Sequence, residues 1–211
     1  MINFRTNKYY LLILLAAFIV GGCGNFSGNY EEIESSTSDS TSDSTISFVA
    51  VGRDGTILTS SDLTTWTSRT SGTSNSLNGV IFGKYSYVAV GDNGTILTSS
   101  DGTTWTKVTA TYTHDNGTTN VTPSINDVTY GNGTFVAVNP NGIILTSTDV
   151  TSSWTKSTSG TSNNLNGVTY GNSTFVSVGN SGTILTSSNG TSWSSRTSGT
   201  TETLQGVTYK E

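Results

Sequence analysis

The chain has 211 residues, a formal net charge of −5 and only 11% charged residues. One cysteine and one histidine exclude a disulfide-stapled fold and leave little material for a multi-histidine metal site or a Ser–His triad. Residues 46–211 hold nine acids and seven bases with no basic stripe, so the phosphate-neutralising charge that drives nucleic-acid binding is missing.

Taken in chain order, the first segment is an export signal. Arg5 and Lys8 precede a ten-residue apolar run, 11–20, and Gly21-Gly22-Cys23 follows. Ten residues are too few to cross a bilayer, which takes about 20, but they suit a secretory apolar region. Val20-Gly21-Gly22-Cys23 resembles a bacterial lipobox, which implies a signal peptide over 1–22 and a lipid on Cys23. The reading also explains an unpaired cysteine in an exported chain. Residues 23–45 then form a tether of Ser, Thr, Asp and Glu that cannot bury a core. Its root-mean-square reach is about 25 Å. The expected placement is an exported, membrane-anchored protein, periplasmic or at the cell surface.

Residues 46–211 are one repeat domain. Four apolar runs, Phe48-Val49-Ala50-Val51, Tyr87-Val88-Ala89-Val90, Phe135-Val136-Ala137-Val138 and Phe175-Val176-Ser177-Val178, each lead through a glycine turn and Ile-Leu-Thr-Ser to a tryptophan. Trp66, Trp105, Trp154 and Trp193 follow one another at intervals of 39, 49 and 39 residues. A period near forty made of short strands predicts an all-β propeller with one four-stranded sheet per blade. A second marker, Leu77-Asn78-Gly79-Val80, returns as Ile125-Asn126-Asp127-Val128, Leu165-Asn166-Gly167-Val168 and Leu204-Gln205-Gly206-Val207, and predicts the innermost strand. Arg53-Asp54-Gly55, Asp92-Asn93-Gly94, Pro140-Asn141-Gly142 and Asn180-Ser181-Gly182 supply tight turns between the second and third strands.

This order begins on a second strand and ends on a first one. The expectation is therefore a small four-bladed ring in which 204–209 completes the first blade and hides its edge. A dimer sharing eight blades and a shortened form of a longer propeller are the alternatives.

The tryptophan hairpins, such as Ser99-Ser100-Asp101-Gly102-Thr103-Thr104-Trp105, resemble the Asp-box (BNR) repeat of sialidases and other propellers. The box here is one residue shorter than the usual pattern. Leu63 follows Asp62 where glycine is expected, the third copy lacks glycine, and Asn189 replaces the aspartate in the fourth. The resemblance implies the fold and assigns Asp62, Asp101 and Asp149 to turn capping. Sialidase chemistry would require three clamping arginines, a tyrosine–glutamate pair and an acidic aspartate. The domain has Arg53, Arg69 and Arg196, two of them at one repeat position, and its only glutamates, Glu202 and Glu211, lie near the terminus. No catalytic residue, cofactor or metal site is expected.

One break in the period points to binding. Eleven residues separate each tryptophan from the next inner strand in three copies, but 20 separate Trp105 from Ile125. The extra residues fall within 107–124 and belong to the face that carries the Asx-Gly turns. Loops on rigid scaffolds carry function, and insertions in repeats often map to a binding face. Tyr112, His114 and Asp115, joined by Arg53, Asp92 and Asn93, are the candidate ligand contacts. The expected function is a lipid-anchored, non-enzymatic scaffold that recognises a protein or a glycan. The alternatives are a divergent sialidase-like glycoside hydrolase and a membrane-complex assembly factor. The repeats also resemble those of the photosystem II assembly-factor propellers.

Overall fold

The computed structural model describes residues 46, 48–108, 124–151 and 154–210. The export segment, Cys23 and the tether lie outside them, as do Tyr112, His114 and Asp115. Residues 42–211 form one compact unit by themselves.

Among the described residues fifteen strands build four antiparallel sheets. The first contains β1 (Phe48–Val51), β2 (Ile57–Ser60) and β3 (Thr67–Arg69); the second β4 (Leu77–Gly83), β5 (Ser86–Gly91), β6 (Ile96–Ser99) and β7 (Thr106–Val108). The third contains β8 (Asp127–Gly131), β9 (Thr134–Val138), β10 (Ile144–Ser147) and β11 (Thr155–Ser157); the fourth β12 (Leu165–Gly171), β13 (Thr174–Gly179), β14 (Ile184–Ser187) and β15 (Ser194–Arg196). Each sheet is ordered as its strands follow in the chain. The repeat read from the sequence therefore recurs in space as four propeller blades.

Alternation along each strand gives every blade two apolar faces, and both are used. Val49, Val51 and Ile57 of blade one pack against Ala89, Leu97 and Trp105 of blade two. Val88, Val90 and Ile96 of blade two pack in turn against Phe135, Ala137, Leu145 and Trp154 of blade three. Val136, Val138 and Ile144 then meet Phe175, Leu185 and Trp193 of blade four. The valine–isoleucine face of one blade thus always meets the aromatic–leucine–tryptophan face of the next. Within each of blades two to four an inner-strand aromatic crosses to the strand beside it: Phe82–Tyr87, Tyr130–Phe135 and Tyr170–Phe175, with ring centroids 4.7, 4.5 and 4.6 Å apart.

The predicted closure of the ring differs from what is found. β1 pairs only with β2, so the first sheet has three strands. Residues 204–209 form no ladder with it, and no apolar cluster joins the fourth blade to the first among the described residues. The segment does take the position of an inner strand, but beside blade four: the Leu204 N–H donates to the Gly179 carbonyl at 3.0 Å, and Tyr209 covers Gly171, where any Cβ would strike its ring. The physical reason is local: each inner strand docks first on the blade before it, and that docking does not bring the far end of the run around.

The tryptophan hairpins show why the repeat tolerates variation. Asp101 Oδ1 accepts the N–H groups of Thr103 and Thr104, each at 2.8 Å, and the Ser99 hydroxyl at 2.9 Å; Asp62 makes the same bonds in blade one. Asn189 Oδ1 does the same in blade four, accepting Thr191 N and Ser192 N at 2.9 Å each. A neutral amide oxygen therefore suffices for the turn. Trp105 and Trp193 donate Nε1–H to the carbonyls of Gly102 and Gly190 at 3.0 and 2.9 Å. Blade three has no such glycine, and its buried Trp154 Nε1 has no partner among the described residues. In blade one Leu63 sits at the glycine position with φ +66°, in the left-handed region.

Two outcomes follow from these hairpins. The hydroxyl of Thr103 and the N–H groups of Thr104 and Thr103 hold the Asp101 carboxyl well below the usual carboxylate range. Its folded pKa lies below its unfolded one, so its stabilisation is fully present above about pH 4 and is lost progressively as pH falls from there towards the lower folded value. Asp101→Asn should retain the fold at pH 7 and lose less stability between pH 7 and pH 3 than the unaltered chain, read by thermal unfolding monitored on tryptophan fluorescence. An unchanged pH dependence would contradict the assignment. Leu63→Gly should raise stability by about 1 kcal/mol, the cost of a left-handed non-glycine residue, and an unaltered or lower melting temperature would contradict it.

Candidate binding face

The turns between second and third strands and the connections between blades meet at one end of the sheets. Asp92 Oδ1 accepts Asn78 Nδ2–H at 3.1 Å, and Asn93 Nδ2–H reaches Asn75 Oδ1 at 3.1 Å. Asn141 N–H donates to Asn164 Oδ1 at 3.0 Å. Asp54, Asn93, Asn141 and Ser181 all lie at positive φ and are followed by a glycine in the same region, as the paired turn residues predict. Of the six candidate contacts, Arg53, Asp92 and Asn93 are therefore on this face, Arg53 and Asp92 at equivalent positions of adjacent blades. Arg53 and Asn93 are exposed and Asp92 is half-buried.

The inner strands carry the best-defined polar array. Asn78 Nδ2–H donates to the Ile125 carbonyl at 3.0 Å, Asn126 Nδ2–H to the Leu165 carbonyl at 2.7 Å, and Asn166 Nδ2–H to the Leu204 carbonyl at 3.0 Å. Each amide thus fastens its own blade to the first residue of the next inner strand. Asn78 and Asn166 are held a second time, by Asp92 Oδ1 and by Asn180 Oδ1 at 3.0 Å. With the nitrogens fixed, the Oδ1 atoms of Asn78, Asn126 and Asn166 are acceptors with no partner among the described residues.

Asp127 adds a carboxylate to this array. It occupies the position held by Gly79 and Gly167 in the neighbouring inner strands. Its Oδ1 accepts the Val128 N–H at 2.8 Å and its Oδ2 the Val168 N–H at 2.9 Å, so one side chain bridges blades three and four. Burial pushes its carboxyl above the ordinary value, and the two N–H groups oppose that shift. The end of the domain is consequently rich in fixed acceptors. It suits a ligand that donates hydrogen bonds or carries positive charge.

Sequence reasoning found the turns but passed over this array. Leu-Asn-Gly-Val is read as the start of the innermost strand, but the reach of its asparagine to the next blade is not written in the spacing. The available signal was the return of an amide at one position in all four copies, Asn78, Asn126, Asn166 and Gln205, together with Asp127 standing where the others have glycine. A further cavity of about 760 Å³ lies against blade four among Asn163, Ser181, Leu185 and Arg196, lined mostly by Ser, Thr and Gly.

Comparison with known proteins agrees with the architecture. No family model and no curated protein matches the chain. Among solved structures it is similar to YCF48 bound to D1 peptide, with 22% identity, a TM-score of 0.55, and coverage of 75% of this chain and 52% of that one. It is also similar to YCF48 from Cyanidioschyzon merolae (20% identity, TM-score 0.43, 56% of this chain and 36% of that one). A third is virginiamycin B lyase from Staphylococcus aureus (16% identity, TM-score 0.42, 74% of this chain and 57% of that one). The chain thus spans about half the length of the first of these structures. The sheets, together with the likeness to the first of these structures, define an all-β propeller fold.

Proposed function

We propose that this chain is a non-enzymatic binding scaffold that recognises a protein segment at the acceptor-rich end of its blades. The observation that carries the reading is the row of Asn78, Asn126 and Asn166 amides, each locked through its nitrogen and each presenting a free carbonyl oxygen. Such a row is matched by the N–H groups of an extended peptide and by lysine or arginine side chains. Asp92 and Asp127 favour the same donors. A neighbour of the same fold was solved bound to a peptide, which supports protein recognition over glycan recognition.

The proposal keeps the 107–124 insertion, with Tyr112, His114 and Asp115 as contacts, and adds the exposed Arg53 from the turn of blade one as a cation. Cys23 would carry the lipid, placing the domain on the outer side of a membrane at the end of a short tether. Recognition then acts on segments exposed at the membrane surface.

A displayed random-peptide library panned on residues 42–211, with a glycan array run in parallel, tests the proposal. The expected result is enrichment of peptides carrying lysine or arginine. Their binding should weaken about tenfold in Asn126→Ala, the worth of roughly one hydrogen bond. It should weaken also when 107–124 is replaced by the short Thr70-to-Asn75 connection. Melting temperatures and tryptophan spectra verify that both variants are folded. Specific glycan binding with no peptide enrichment, or peptide binding untouched by both changes in folded protein, would overturn it.

A further inference from the structure

We propose that the turn between β4 and β5 is a contact for a lipid surface, anchored by Tyr85, and that it directs the acceptor-rich end away from the membrane. The inference rests on the reading that Cys23 carries a lipid, and it adds which end of the domain faces that membrane. The turn departs from the repeat. Gly131-Asn132-Gly133-Thr134 joins the first two strands of blade three and Gly171-Asn172-Ser173-Thr174 those of blade four, whereas blade two has Gly83-Lys84-Tyr85-Ser86. The two central residues lie at positive φ in all three turns, +47° at Lys84 and +66° at Tyr85. Asparagine and glycine reach this region at little cost, but a bulky aromatic residue there is strained.

Among the described residues nothing offsets that strain. Tyr85 is 87% exposed. A Cβ at Gly133, the matching position of blade three, would meet no atom within 4 Å, so the space beside this turn is open in an internal blade as well. The exposure therefore belongs to the position in the repeat. Lys84 instead fastens the turn: its Nζ donates to the Thr148 carbonyl of blade three at 2.6 Å. Its charge lies near Asp149, whose carboxyl the Thr151 N–H and hydroxyl, and then Lys84, hold below the ordinary value. The cation is thus used inside the domain, and what the turn presents outward is a ring with a hydroxyl. That is the chemistry of a headgroup contact, apolar on its faces and polar at its tip. Strain kept at an exposed position without an internal contact is the mark of an external one.

The entry point of the tether decides what covers the turn. β5 runs from this turn to the Asp92-Asn93-Gly94 turn, so Tyr85 and the tryptophan hairpins lie at the end opposite the acceptor array. The residues before β1 reach the domain at that same end. The Tyr87 hydroxyl donates to the Ile46 carbonyl at 2.7 Å, and Ile46 Cγ2 lies 3.0 Å from where a Cβ on Gly102 would stand. Tyr87 follows Tyr85 by two residues. A tether with a reach of about 25 Å therefore brings this end, before the acceptor-rich end, to a membrane that holds its lipid. Asp62 and Asp101 are exposed on hairpins of the same end and disfavour anionic headgroups. The surface that fits is accordingly zwitterionic and is met by the ring, not by net charge.

The mature lipidated chain in phosphatidylcholine vesicles tests the proposal. Cys23 is the only cysteine and its lipid leaves no free thiol, so Ser100→Cys marks the hairpin end and Ser74→Cys the acceptor-rich end, each with one fluorophore. Both serines are exposed. Headgroup spin labels should quench the fluorophore at 100 at least about threefold more than the one at 74, because the ends of a six-residue strand such as β5 are about 20 Å apart. Tyr85→Gly, which restores the glycine of blade three, should abolish that difference without lowering the melting temperature. Equal quenching at the two positions, or stronger quenching at 74, would overturn the proposal and leave Tyr85 to a protein partner. A difference that persists in Tyr85→Gly would also overturn it. A chain that does not float with the vesicles would remove the lipid anchor itself, an outcome read separately from orientation, and the proposal with it.

Discussion

The hydrogen bond from the first residue of an inner strand back to the blade before it is the contact on which the rest of this structure depends. It recurs four times, at 2.9, 3.0, 3.2 and 3.0 Å for Leu77, Ile125, Leu165 and Leu204. Sheets of four short strands are marginal alone, and each blade here leaves two apolar faces to be covered. The backbone bond fixes where one blade begins relative to the last. The Asn78, Asn126 and Asn166 amides then tie that strand forward to its successor. With the strand held from both sides, valine and isoleucine meet aromatic, leucine and tryptophan at every seam. Few charges are needed because the repeated contact is apolar within and amide-bonded at the axis.

That arrangement also separates what the repeat must keep from what it can change. Turn capping at the tryptophan hairpins survives aspartate, asparagine, a missing glycine and a left-handed leucine; Trp105, Trp154 and Trp193 are in addition packed by the blade before them, while Trp66 is 41% exposed. The inner strands are less forgiving. Where Asp127 replaces glycine it must bridge two backbone N–H groups to be accommodated, and its burial still raises its pKa. The carboxylate of Asp127, beside the amide oxygens of the inner strands, is not required for packing, since the neighbouring inner strands have glycine at that position; the proposed binding role rests on this pairing.

Much of this was legible in the chain. The tryptophans, the Ile-Leu-Thr-Ser runs and the Asx-Gly turns gave the strand boundaries and the blade phase, because each is a short-range pattern with its own geometry. Placement of Asp92, Asn93 and Arg53 on one face followed from the same phase. The closure of the ring did not, because it depends on the angle between successive blades, which no local pattern records: 204–209 is recognisable as an inner strand, yet its partner is set by how far four blades turn. The amide row was hidden for a different reason. Asn78 and Asn126 bond to carbonyls 47 and 39 positions further along the chain, and their sequence neighbours mark an inner strand without recording what its side chains reach.

Hydrogen exchange at the Leu77, Ile125 and Leu165 amides probes most directly the idea that the docking of each inner strand on the blade before it governs this molecule. The account predicts that these three amides are protected to the level of β5 and β9. Rapid exchange at all three, with β5 and β9 protected throughout, would contradict it.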